Sequence, residues 1–244
     1  MLSFSYETEV RSVPVIGLVV LQADQTIERD MRRLLPDGVE LLVSRVASGT
    51  HVTSESLAKM EAELAVAVAL FPTGAKFAAI GYGCTSGTAE IGVDRIAELV
   101  TGAAETSAVT EPVSALSAAC HHLGARRIGL LSPYVESVSD QLRHVLAADQ
   151  IDVSAFASFN ETEEDAVAHI SPRSIYKSAV ALAENARFDA LFISCTNLRT
   201  LGVLDEIEAA IGQPVLSSNQ VLAWHLLRLA GVSQSGEKAG QLWS

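Results

Sequence analysis

The chain carries one pattern twice. Ile16-Gly17-Leu18 recurs as Ile128-Gly129-Leu130, 112 positions on (128 − 16). Phe77-x-Ala79 followed by Cys84-Thr85 recurs as Phe188-x-Ala190 followed by Cys195-Thr196, 111 positions on (195 − 84). The stretch Pro112 to Gly124 is likewise echoed by Gln213 to Gly231, each a strand end and serines followed by a Leu-rich helix that stops near a glycine. Matches in the same order at near-constant spacing mark a duplicated unit. A chain of 244 residues built this way folds as two similar domains on one plan.

That plan reads as alternating strand and helix. Pro14 to Leu21 is a β-branched run of buried-strand type, Gln25 to Leu35 a helix stopped by Pro36-Asp37-Gly38, and Val39 to Val46 a second strand. A helix capped by Thr53 runs to about Leu70, Lys76 to Tyr82 is a third strand, and Thr88 to Val100 another helix. Strand–helix alternation predicts parallel sheets with helices on both faces. The expected fold class is therefore α/β, two parallel-sheet domains related by a pseudo-twofold axis with a cleft between them. The hydrophobic fraction of 49% with only 5% aromatics suits an aliphatic core of that kind. The expected limits are residues 1–112 with 219–244 for the first domain and 113–218 for the second. The last helix then returns to the first domain, and the tail from Ser233 to Ser244 is loose apart from an anchor at Trp243.

A formal charge of −12 argues against nucleic acid and against an anionic membrane as partner. No apolar run approaches about 20 residues, the length of a membrane span, and the acidic start MLSFSYETEVR does not read as a signal peptide. Three cysteines do not make a disulfide framework, so the expected location is cytoplasmic, with reduced thiols.

Cys84 and Cys195 close equivalent strands, in AIGYGCTS and FISCTN. Ligand crevices in open parallel sheets lie outside the carboxyl ends of the strands, so the two thiols are expected on opposite sides of one cleft. Gly83, Gly87 and the neighbouring hydroxyl residues leave backbone N–H groups free for an anion, and helices starting near Thr88 and Thr200 add positive ends. Two thiols about an anion cradle suggest proton transfer on both faces of a carbon next to a carboxylate. A lone cysteine at a strand end is usually a small buried hydrophobe, and Cys120 inside an apolar helix fits that reading. The duplicated context separates Cys84 and Cys195 from it. Neither motif has a general-base histidine, so thiolate formation falls to a helix N-terminus. Neither has CxxC or HxxxH spacing, so no metal is expected.

These residues resemble the Asp/Glu racemase superfamily, in the branch that holds maleate cis–trans isomerase, arylmalonate decarboxylase and the ectoine-utilisation protein EutA. The carriers are Gly83-Cys84-Thr85-Ser86, Ser132-Pro133-Tyr134, Ser194-Cys195-Thr196 and the segment Pro214 to Gln220. The stretch Val20 to Asp30 is most similar to the EutA group. The resemblance implies a homo-oligomeric, cofactor-free isomerase or racemase acting on a small amino-acid derivative or dicarboxylate, with Cys84 and Cys195 as the catalytic pair in proton transfer or thiol addition; the alternatives are a cofactor-free malonate-type decarboxylase and a non-catalytic protein that binds a small anion. It places Thr85, Ser86 and Tyr134 on a substrate carboxylate, and Asn160, Thr196 and Asn197 on the substrate. Decarboxylases of the branch have glycine at the first cysteine position, so keeping both thiols favours isomerisation over loss of carbon dioxide. Maleate isomerase has asparagine where this chain has Asp24. A carboxylate there disfavours a dicarboxylate and welcomes an ammonium or amide N–H, although an aspartate at this place also serves as a helix cap.

Overall fold

The computed structural model describes residues 1–9, 12–233 and 239–244. The first half runs β1 (Val15–Leu21), α1 (Ile27–Leu34), β2 (Glu40–Val46), α2 (Ser54–Val68), β3 (Lys76–Phe77), β4 (Ala79–Gly83), α3 (Thr85–Ile91), α4 (Val93–Ala103), β5 (Glu105–Thr106) and β6 (Val109–Thr110). The second half continues with α5 (Pro112–Leu123), β7 (Arg127–Tyr134), α6 (Glu136–Ala148), β8 (Asp152–Glu161), α7 (Glu164–Ala168), α8 (Pro172–Asn185), β9 (Ala190–Ile193), α9 (Leu204–Ile211), β10 (Val215–Ser217) and α10 (Ser218–Leu229). Two parallel four-stranded sheets result, ordered β2-β1-β4-β6 and β8-β7-β9-β10. The orders correspond strand for strand, as the sequence repeat predicts. No helix among the described residues is long and apolar enough to cross a membrane.

The repeat has a steric cause. Ile16 pairs with Ala79 and Gly17 with Ile80 in the first sheet; Ile128 pairs with Ala190 and Gly129 with Leu191 in the second. A Cβ on Gly17 would come within 3.1 Å of the Phe77 ring, and one on Gly129 within 2.7 Å of the Phe188 ring. Each first strand thus keeps a glycine so that the phenylalanine ahead of its neighbour can pack against its backbone. Gly129→Ala is expected to destabilise the fold by about 1–3 kcal/mol through overpacking. Urea unfolding would measure the loss, and a second change, Phe188→Leu, should recover part of it.

Some local expectations need correcting. The helix expected over Thr88 to Val100 is two helices, α3 and α4, broken at Gly92, whose φ of +92° suits glycine and interrupts the hydrogen-bond ladder. No helix begins near Thr200: after Cys195 the chain turns through residues 196–203 before α9 starts at Leu204. The tail is anchored by more than Trp243. Ala239 accepts a hydrogen bond from Gln220 Nε2, Gly240 N–H donates to Asp205, Gln241 N–H donates to Glu208, and Leu242 and Trp243 are buried. The part of that expectation that falls on residues 234–238 lies outside the described residues. α10 follows the last strand of the second sheet and packs on α5 and on α1 and β4.

Candidate active site

β4 and β9 are equivalent strands, and each delivers a cysteine just beyond its carboxyl end. Cys84 is the residue before α3, and its Sγ accepts the Gly87 N–H at 3.1 Å. A Cβ on Gly87 would sit 2.7 Å from the Tyr82 hydroxyl and 2.9 Å from that sulfur, so only glycine lets the backbone approach. Cys195 has φ of +93°, a left-handed backbone rare for a side-chain-bearing residue. Its Sγ accepts the Asn197 N–H at 3.3 Å and lies 3.0 Å from the Tyr134 hydroxyl. Forced φ values of this kind cost about 1–3 kcal/mol and concentrate at functional sites. Cys195→Gly should therefore be more stable than Cys195→Ala by about 1 kcal/mol in urea unfolding, the reverse of the usual order for these two residues.

Both thiols line one narrow cavity of about 10 Å³, roughly the space of a single water. Asp24, Thr85, Ser86, Tyr134, Thr196 and Asn197 line it as well, so of the residues singled out in the sequence only Asn160 stands apart. Asn160 is exposed near the end of β8 at φ of +57°, its N–H held by Ser158 Oγ at 2.8 Å. The edge of the sheet carries it away from the cavity. Glu164 lies there instead, in a stretch that reads from sequence as a solvated acidic turn. Hydrogen bonds across the two halves hold the walls: Thr196 Oγ1 donates to the Gly83 carbonyl at 3.2 Å, Asn197 Oδ1 accepts the Gln25 N–H at 2.9 Å, and the Thr85 and Ser218 hydroxyls meet at 2.8 Å. Asn219, which sequence reading leaves as a helix start, donates to both the Thr196 carbonyl and Asp30.

Val52 and Leu57 form the remaining apolar wall with Leu21. Their segment is pinned to the other half by Val52 N–H to the Thr162 carbonyl, Glu164 N–H to the Thr50 carbonyl, and an ion pair of His51 with Glu163.

Asp24 caps α1, its Oδ1 accepting the Thr26 and Ile27 N–H groups at 2.8 Å each. Its Oδ2 is buried without a hydrogen-bond partner among the described residues. Among those residues, no lysine, arginine or histidine lines the cavity. Burial pushes the Cys84 thiol up to about 12, with Glu164 and Asp24 adding to the rise and the Gly87 N–H opposing it. Cys195 is raised by burial and by Glu164, against the pull of the Asn197 N–H. In the ligand-free site, desolvation outweighs the pull of the N–H group at the start of α3.

Burial raises Asp24 and Glu164 too, and outside the cavity Asp30, Glu111 and Glu208. A carboxyl raised on folding binds its proton more tightly in the native state. Its favourable contribution is complete below the unfolded value of about 4 and is lost as pH rises through the folded value. His225, lowered by burial, works the other way as a single group. The melting temperature is thus expected to rise as pH falls from about 8 to about 5, which calorimetry would read.

The family model for arylmalonate decarboxylase matches residues 16–243. The chain belongs to the arylmalonate decarboxylase family. Over 233 residues it is 28% identical to arylmalonate decarboxylase of Bordetella bronchiseptica, covering 90% of this chain and 92% of that one. Over 244 residues it is 24% identical to maleate isomerase of Geobacillus stearothermophilus, covering 94% and 96%. A double mutant of arylmalonate decarboxylase in liganded form superposes with a TM-score of 0.86 at 25% identity, covering 95% and 99%. Membership places the chain in the racemase-like branch expected from its motifs and makes it an enzyme. Since the relatives divide between a decarboxylase and isomerases, membership does not choose the reaction.

Proposed function

We propose that this enzyme is a cofactor-independent isomerase or racemase that moves a proton at the carbon next to a carboxylate of a small amino-acid derivative. The observation that carries this reading is the presence of two thiols, one from each half, in the wall of a single cavity. One thiolate removes the α-proton, the negative charge passes onto the substrate carboxylate, and the opposite thiol returns a proton to the other face. The hydroxyls of Thr85 and Ser86 follow Cys84 directly in the chain and share its cavity, which suits a carboxylate gaining charge.

Charge selects the substrate class. Two unit negative charges about 5 Å apart repel by roughly 3 kcal/mol at an effective dielectric of about 20. Asp24 and Glu164 are both in the cavity wall, and among its described residues no cation lines it, Arg45 reaching Asp24 only at its backbone carbonyl, so a dicarboxylate such as maleate meets repulsion. An ammonium or amide N–H instead satisfies the unpartnered Asp24 Oδ2. Loss of carbon dioxide from a malonate is the competing reaction, favoured by the relative from Bordetella bronchiseptica.

The test is a screen in deuterium oxide over amino acids, N-acylated diamino acids, maleate and substituted malonates, read by proton NMR and chiral chromatography. Deuterium at the α-carbon with inversion and no carbon dioxide is the expected result. Faster turnover of maleate, or carbon dioxide release from a malonate, would sink the reading.

A further inference from the structure

We infer that Glu164 is the proton acceptor for Cys195, reached through the hydroxyl of Tyr134. The Cys195 Sγ lies 3.0 Å from Tyr134 Oη, and Oη donates to Glu164 Oε1 at 3.0 Å. A phenol has one proton to give. With that proton committed to the carboxylate, Oη can only accept from the thiol, so the line runs Cys195 S–H to Tyr134 O–H to Glu164. All three groups are buried, and no cation among the described residues of the cavity wall pairs with the carboxylate. A solitary carboxylate there is costly to desolvate, and the relay gives it a use.

The carboxylate is also aimed. Asn197 Nδ2 donates to Glu164 Oε2 at 3.0 Å and to the Glu164 carbonyl at 3.2 Å, leaving Oε1 for the tyrosine. The Asn197 amide cannot be turned over, because its Oδ1 accepts the Gln25 N–H, which is only a donor. Cys84 has a different setting: its sulfur accepts the Gly87 N–H, and the Tyr82 hydroxyl beside it lies 3.9 Å from Met60 Sδ. The two thiols of the duplicated frame are therefore unequal, Cys195 placed to become the base and Cys84 to carry the proton delivered to the opposite face.

The transfer balances without a co-reactant. The Cys195 S–H bond breaks as an O–H bond forms on Tyr134; the original Tyr134 O–H breaks as one forms on Glu164. The negative charge passes from carboxylate to sulfur and tyrosine ends as it began. Burial raises Glu164, which improves it as a proton acceptor.

This assignment deepens the proposed reaction and rests on it for its catalytic use, but its test needs no substrate. In protein carrying Cys84→Ala and Cys120→Ala, Cys195 is the sole thiol, and its far-ultraviolet thiolate absorbance can be followed against pH. The relay makes thiolate without releasing a proton to solvent, so the signal of the single-thiol parent should be flat across neutral pH. In Glu164→Gln the proton must leave for solvent, and the signal should rise about tenfold per pH unit while the thiol is mostly protonated. Tyr134→Phe, which deletes only the hydroxyl, should show the same slope, and the double variant should add nothing to it. A parent signal that rises about tenfold per unit, or a flat signal in either single variant, would overturn the assignment. Failure of the deuterium screen with an intact thiolate signal would instead fall on the reaction and leave the relay standing.

Discussion

Cys84→Ser and Cys195→Ser should each lower inversion of the substrate by about 10³-fold, since each removes the proton carrier on one face. Proton exchange should behave differently from inversion. With one thiol intact, the α-proton of one enantiomer is still removed and returned from the same side. Cys84→Ser is thus expected to exchange one enantiomer without inverting it, and Cys195→Ser the other. The double variant should invert no more slowly than either single one, because a two-base mechanism is already broken when one base is gone. Chiral chromatography after incubation in deuterium oxide separates these outcomes. Variants that exchange the same enantiomer, or that keep inverting, would place the two thiols on one face or outside the chemistry.

Asp24→Asn should change what the site accepts. An asparagine Oδ1 can still receive the Thr26 and Ile27 N–H groups, so the α1 cap survives and the fold should not weaken. The negative charge beside the thiols is lost. Binding of a dicarboxylate inhibitor such as maleate is expected to tighten by about 10- to 100-fold, or about 1.4–2.8 kcal/mol, while kcat/KM for an ammonium-bearing substrate falls by a similar factor. Inhibition constants for maleate and for a monocarboxylate of equal size would measure this, the second controlling for changes in pocket shape. Equal affinity gains for both compounds would mean that the aspartate acts by shape and not by charge.

Most of the fold was legible because its determinants are local or repeated. The β-branched run from Val15 to Leu21 alternates with helical segments whose caps and stops are short-range signals. The Gly–Phe pairs at Gly17 and Phe77, and at Gly129 and Phe188, leave a matched mark at both ends of the repeat. Where the reading slipped, the cause was conformational: Gly92 looks like a tolerated helical glycine until its φ is known, and the turn after Cys195 is invisible in FISCTN.

Glu164 shows the other limit. Within FNETEED it is one acid among several, and nothing in its spacing distinguishes it from Glu163, which pairs with His51 half-exposed at the segment that holds Val52. What separates them is which side chain turns inward against Tyr134 and Asn197, residues 30 and 33 positions away. Asn160 lies outside the cavity wall at φ of +57°, a placement that its spacing does not foretell. The sequence by itself determined two copies of one parallel α/β plan, a cysteine at the same strand end in each, and an aspartate near the first helix start, because periodicity, duplication and capping act over a few residues. Only the tertiary structure decided that those thiols share one narrow cavity, that its described walls hold acids and no base, and that a tyrosine couples one thiol to a carboxylate. Those are contacts between distant segments, and burial, which raises every one of these ionisable groups, exists only after the chain has folded around them.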